Sequence, residues 1–204
     1  MKKTEEQAVS IPRINLKKFQ LKIVGDSPLI TNNWSEKAKQ QMLDKQMKKA
    51  SSGKTAKDPW VNYCDSMYWL TEKPDNPTQE DVEKAKFGFP SIGFKASAAT
   101  AGFRGGITKN KVSTNGVFHI SGELVEIIAI PNIREDMVRI GMGTADIRYR
   151  GEFKDWAALL DITYNANVMS AEQIINLFNL AGFSVGVGEW RPERKGTSGM
   201  FHVE

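Results

Sequence analysis

The chain is predicted to be an α+β protein built on one antiparallel sheet, on three observations. Strand-type alternation stands near both ends, in Phe19, Leu21 and Ile23 spaced by Gln20 and Lys22 and again from Met200 to Val203. A β-branched run extends from Val117 to Ile130 between them. Ser170 and Gln173 form a capping box ahead of Ile174, Leu177, Phe178 and Ala181, which share one helical face. With 204 residues, 40% of them hydrophobic and 9% aromatic, the chain can bury one core and reads as one domain.

Residues 1–14 are polar and irregular and read as a mobile N-terminal arm ahead of a single domain at 15–204. The strand through Phe19–Ile23 closes at Gly25-Asp26-Ser27-Pro28. Asn33 with Glu36, followed by Ala38, Met42, Leu43 and Met47, predicts a first helix over about 34–50. Ser51 to Pro59 is a loop by composition. Its Gly53-Lys54-Thr55 resembles the end of a phosphate-binding loop but has Lys48 where that motif requires glycine. Trp60, Tyr63, Met67, Tyr68, Trp69 and Leu70 form an aromatic cluster that reads as a small core, and Thr78 caps a short acidic helix ending before Gly88.

Val117–Ile130 is one long strand or a hairpin broken near Ser121-Gly122, and Pro131 ends it; Ala157–Tyr164 is a further strand, and Gly182 stops the last helix. With 51–116 set aside as a large insertion between the first helix and the second strand, the order is strand, helix, strand, strand, helix, strand. This βαββαβ pattern is the ferredoxin-like arrangement, with two helices on one sheet face and the other face open to a ligand.

Composition excludes several classes. Cys64 is the single cysteine and His119 and His202 the only histidines, so no disulfide, cysteine-rich zinc site or histidine cage is expected. No metal and no cofactor is expected. No apolar run approaches the roughly 20 residues that span a bilayer, so the expectation is a cytoplasmic protein with no membrane partner. Charge is uneven: residues 1–57 hold 13 basic and 5 acidic side chains, while residues 91–122 hold 4 basic and no acidic ones. Such a distribution suits a polyanion on one face.

Two stretches carry chemistry. Gly182 to Gly199 contains Gly186, Gly188 and Gly196, with Arg191, Arg194 and Lys195 among them. Glycines let backbone N–H groups approach an anion closely, and the cations supply charge for phosphate. Upstream, Lys95, Arg104, Lys109 and Lys111 form an acid-free basic segment around Gly105-Gly106, suited to clamping phosphates. A second Gly/Arg element places Arg139, Arg148 and Arg150 around Gly141-Met142-Gly143. Asp136 and Asp146 lie close enough in sequence to neutralise those arginines as structural ion pairs, or the element could join subunits.

Phe89-Pro90-Ser91-Ile92-Gly93-Phe94-Lys95, followed by small residues up to Arg104, resembles the proline-small-serine-leucine-lysine-glycine helix start of the RAMP superfamily. These proteins form the RNA-binding backbone of CRISPR effector complexes. Their other hallmark, a glycine-rich loop after the second helix of a ferredoxin-like fold, resembles Gly186-Val187-Gly188 through Gly196 and Gly199. The tryptophan-arginine-proline-glutamate run at Trp190–Glu193 is also similar to a motif of small phage proteins. The resemblance implies a protein whose copies assemble along single-stranded RNA or DNA, each gripping the backbone with lysine and arginine. The alternatives are a RAMP-type endoribonuclease, with Asp26, His119 or His202 as acid or base, and a phage assembly or host-inhibiting protein acting through protein partners. No residue is assigned as catalytic. Asp136, Asp146, Glu152 and Asp155 show no ligand-like spacing for a metal.

Overall fold

A computed structural model describes residues 13–34, 36–48, 58–140 and 143–204. Most of the expected N-terminal arm, the Gly53-Lys54-Thr55 loop, and Gly141 and Met142 lie outside the described residues. The first strand, β1 (Leu16–Gly25), alternates as expected, with Leu21 and Ile23 buried and Lys18, Gln20 and Lys22 exposed. A short β2 (Leu29–Ile30) follows, then α1 (Glu36–Gln46), α2 (Pro59–Asp65), β3 (Tyr68–Trp69) and α3 (Gln79–Lys84). The Thr78 cap is present as a full capping box with Asp81.

β4 (Phe87–Pro90) runs directly into α4 (Ser91–Arg104), which is followed by α5 (Lys111–Asn115). β5 (Phe118–Ile120) and β6 (Leu124–Ile128) come next, then the hairpin of β7 (Pro131–Ile140) and β8 (Thr144–Phe153). β9 (Ala157–Asn165), α6 (Ala171–Ser184) and β10 (Phe201–Val203) complete the order. At the start of α6 the Ser170 hydroxyl accepts from the Gln173 amide at 3.2 Å, and the Gln173 side chain accepts from the Ser170 amide at 2.8 Å.

All described pairings are antiparallel, in two sheets. The larger runs β10-β1-β9-β6-β4-β3, with β5 also on β9; the smaller runs β2-β8-β7. β5 and β6 share one edge of β9, so the run from Val117 is indeed broken at Ser121-Gly122. β5 faces Ile162–Tyr164, while β6 faces Ala157 and Ala158 and then carries β4 on its other side. α4 and α6 pack against each other over the buried side of this sheet. Phe94 of α4 meets Phe201 and Trp156 at ring centroid distances of 6.3 and 6.4 Å, and Phe178 of α6 meets Phe118 at 5.6 Å.

Three expectations are corrected. The helix paired with α6 is not the one at 34–50 but α4, whose Phe94, Ala98 and Ala101 are buried, whereas Met42 and Leu43 of α1, and Met47 just after it, are exposed. The stretch 51–116 is therefore not simply an insertion: it supplies β4 to the main sheet and α4 to the helix layer. The Val117 run does end ahead of Pro131, with β6 stopping at Ile128, and Pro131 then opens β7, pairing with Phe153 at the base of a hairpin ten residues long on each side. Gly182 lies inside α6, because a Cβ there would run into the Phe201 backbone; the missing side chain serves close packing rather than a helix stop. The aromatic cluster is core in part: Tyr63 and Met67 are buried, Trp60, Tyr68 and Trp69 pack against the core partly buried, and Leu70 is exposed.

Candidate functional site

The two motif stretches meet in space. α4 starts without a side-chain cap. Its first turn is tied instead to the bend after β5, where the Ser91 amide donates to the Glu123 carbonyl at 2.9 Å and the Ser91 hydroxyl to the Gly122 carbonyl at 2.6 Å. Gly93, Ala96, Ser97 and Thr100 on α4 then form one wall of a cleft of about 250 Å³, and Val185–Glu189 form the opposite wall. Ile30, Asn32, Tyr68 and Phe89 also line it.

The glycine-rich loop holds its wall through backbone bonds. Gly186 and Gly188 sit at φ of 69° and 76°, the left-handed region where a side chain is strained. The Val187 amide donates to the Gly199 carbonyl, and the Glu189 amide to the Ile30 carbonyl, each at 2.9 Å. The loop is thereby hung on β2. Arg191 donates to the Gly188 carbonyl at 2.9 Å and to Glu193 at 2.8 Å, and Arg104 reaches the other Glu193 oxygen at 3.3 Å. Burial opposes ionisation of Glu193, but the Arg191 hydrogen bond and the charges of Arg191, Arg104 and Lys111 hold its carboxyl below the ordinary range. One carboxylate thus joins two arginines, one from α4 and one from the glycine-rich loop.

The remaining predicted residues divide. Lys109, Arg194 and Lys195 are exposed near these elements, Arg194 in a short 3-10 turn at Pro192–Arg194 and Lys195 at φ 65°. Lys95 stands apart, with its Nζ 3.1 Å from His119 Nδ1 and its pKa lowered by burial. Arg139, Arg148 and Arg150 lie on the β7–β8 hairpin, not at the cleft. Arg150 is 3% exposed and bonds Asp136 at 2.9 Å, so it is a structural ion pair and does not reach a ligand. Arg148 lies 3.6 Å from Asp146, and Arg139 is exposed.

Sequence reasoning missed the cleft residues Asn32, Tyr68, Ser97 and Glu189, which come from four separated segments. Ser97 is 3% exposed, and its Oγ has no hydrogen-bond partner among the described residues. Asp26 and His202, candidates for acid–base work, do meet, at 2.6 Å on the exposed edge where β1 pairs β10. Burial pushes the Cys64 thiol up to about 11, which fits an inert core residue. Among the described residues no group of three or more His, Cys, Asp or Glu is placed to hold a metal ion, and no helix is long and apolar enough to cross a membrane.

No family model matches the chain, and no curated protein does. Among solved structures it is similar to the "Crystal structure of Cmr6 from Pyrococcus furiosus", at 10% identity and a TM-score of 0.42, covering 94% of this chain and 100% of that one. It is also similar to a chain of a "CRISPR RNA-guided surveillance complex", at 10% identity and a TM-score of 0.38, covering 91% of this chain and 67% of that one.

Proposed function

We propose that this protein binds single-stranded nucleic acid, RNA or DNA, along the cleft between α4 and the glycine-rich loop, and that copies assemble along the strand. In this reading β1, α4, β5, β9, α6 and β10 form a ferredoxin-like core of RAMP type, elaborated by β2, β3, β4, β6 and the β7–β8 hairpin. The observation that carries it is the convergence of Arg104 and Arg191 on Glu193 beside loop backbone held open by Gly186 and Gly188. Two arginines at one carboxylate, flanked by exposed Lys109, Lys111, Arg194 and Lys195, provide a place for a phosphate to enter. Lys95 extends the basic face toward β5 and Arg139 toward the hairpin.

The test is binding of labelled single-stranded RNA and DNA, with a duplex control, across a salt series. The expected result is affinity that falls as salt rises, with a log–log slope near −0.7 per phosphate neutralised, and growth in particle size as strand is added. Absence of binding to either single strand at low salt rejects the reading.

The Asp26–His202 pair favours a second reading, an endoribonuclease in which this pair takes and returns protons. Cleavage of single-stranded RNA that is lost in His202→Ala and Asp26→Asn establishes it; an intact substrate after prolonged incubation removes it.

A further inference from the structure

The cleft is not uniformly suited to phosphate. At one end Glu193 is neutralised by Arg104 and Arg191. At the other, Glu189 is held by the neutral amide of Asn32, which donates to its Oε1 at 3.1 Å. A carboxylate lining a cleft without a cation among its described contacts repels an anion and accepts N–H donors. Beside it lie aromatic surfaces: Tyr68 and Phe89 line the same cleft, their rings 6.1 Å apart and edge to face. Burial, and then the Glu189 charge, raise the pKa of the Tyr68 hydroxyl, placing ring and carboxylate in one environment. Ser97 adds a buried hydroxyl with no partner among the described residues, in the wall facing the loop. Buried polar groups in proteins are ordinarily satisfied, so an unsatisfied one lining a cleft points to a ligand that completes it.

We propose that this cleft takes one guanine base, its N1–H and 2-amino groups donating to the Glu189 carboxylate and its ring lying against Tyr68. Guanine presents two adjacent donors on its Watson–Crick edge and so matches the two oxygens of a carboxylate. Adenine and cytosine offer a single amino group there and uracil a single imino group. Ser97 supplies a hydroxyl to a ring acceptor, and Asn32 positions the carboxylate. The proposal rests on the nucleic-acid reading where the base belongs to a strand; the same chemistry would take a free guanine nucleotide.

Binding of a ten-nucleotide uridine tract carrying one central guanosine, inosine, adenosine or cytidine is compared with that of the plain tract, with GMP and AMP as competitors. Guanosine is expected to bind at least about fivefold tighter than the other bases, the lower end of what a good bidentate base contact discriminates. Inosine, which stacks alike but lacks the 2-amino group, is expected to lose most of that gain. Glu189→Gln is expected to bring the guanosine tract down to the plain tract. Competition by GMP but not AMP, with or without strand binding, supports the pocket and identifies the free nucleotide as a source; retained guanosine preference without GMP competition assigns the base to the strand. Strand binding with all bases within twofold overturns this proposal and leaves the strand reading standing. No binding of any strand or of GMP overturns both.

Discussion

At the residue scale, Glu193 and Asp136 are carboxylates held by arginines to different ends. Glu193 is partly exposed and sits where a phosphate would compete for Arg104 and Arg191. Replacing it with glutamine removes a charge that opposes the ligand. Glu193→Gln is therefore expected to raise single-strand affinity severalfold and to steepen the salt dependence by about 0.7 for each cation freed, read by fluorescence anisotropy. Asp136 is 7% exposed and receives Arg134 and Arg150, each at 2.9 Å, and the Trp190 indole at 3.3 Å. Burial alone would raise its pKa, yet these donors lower it below the ordinary ~3.9 of an aspartate in an unfolded chain. A depressed folded value means the stabilisation is fully present above about pH 4 and is lost as pH falls through the folded pKa. Asp136→Asn strands the buried Arg150 charge and is expected to cost about 3–5 kcal/mol at pH 7, with a smaller further loss on acidification than the parent shows; urea midpoints at pH 7 and pH 3 check both.

At the element scale, α6 and β10 are joined by an approach too close for any side chain at Gly182. Gly182→Ala, ordinarily favourable within a helix, is here expected to destabilise because the Phe201 backbone must move; a lowered melting temperature checks it. Phe178→Ala is expected to cost about 3–5 kcal/mol, since Phe178 is fully buried against Phe118 and couples α6 to β5. The β7–β8 hairpin is tied to the loop wall of the cleft by the bond from Trp190 to Asp136, and Trp190 itself holds φ 53°. Strain of this kind persists only where surrounding contacts over-determine it, and here those contacts come from another element.

At the scale of the whole molecule, β1 lies between β9 and β10, so the first and last described strands pair at one edge of the larger sheet. Phe201 is 1% exposed and contacts Phe94 and Trp156. A chain cut after Gly199 is expected to lose its cooperative melt, because it exposes that core and opens the edge of β1; circular dichroism and limited proteolysis check this. Survival of the melt would show that α4 and α6 cover the sheet without β10.

What could be read from the chain alone was whatever is encoded locally. Alternation placed β1 and β9, hydroxyl and carboxamide spacing placed the starts of α3 and α6, and glycine density with basic residues marked both stretches that line or flank the cleft. Helix pairing was not local information. The 34–50 segment and α4 both have helical patterns, and only packing shows that the apolar face of α4, with its small residues, fits against α6 while α1 leaves Met42 and Leu43 exposed. The hairpin escaped notice because Asp136 and Arg150 on its charged face are buried as an ion pair, joined by the partly exposed Arg134, which inverts the alternation a half-buried strand is expected to show. The base end of the cleft joins Asn32, Tyr68, Ser97 and Glu189, separated along the chain by up to 157 residues between hydrogen-bonded partners. Local sequence determines which segments extend, coil or turn, and where charge accumulates; which of them meet is decided by how their apolar faces bury one another, and that is a property of the folded chain.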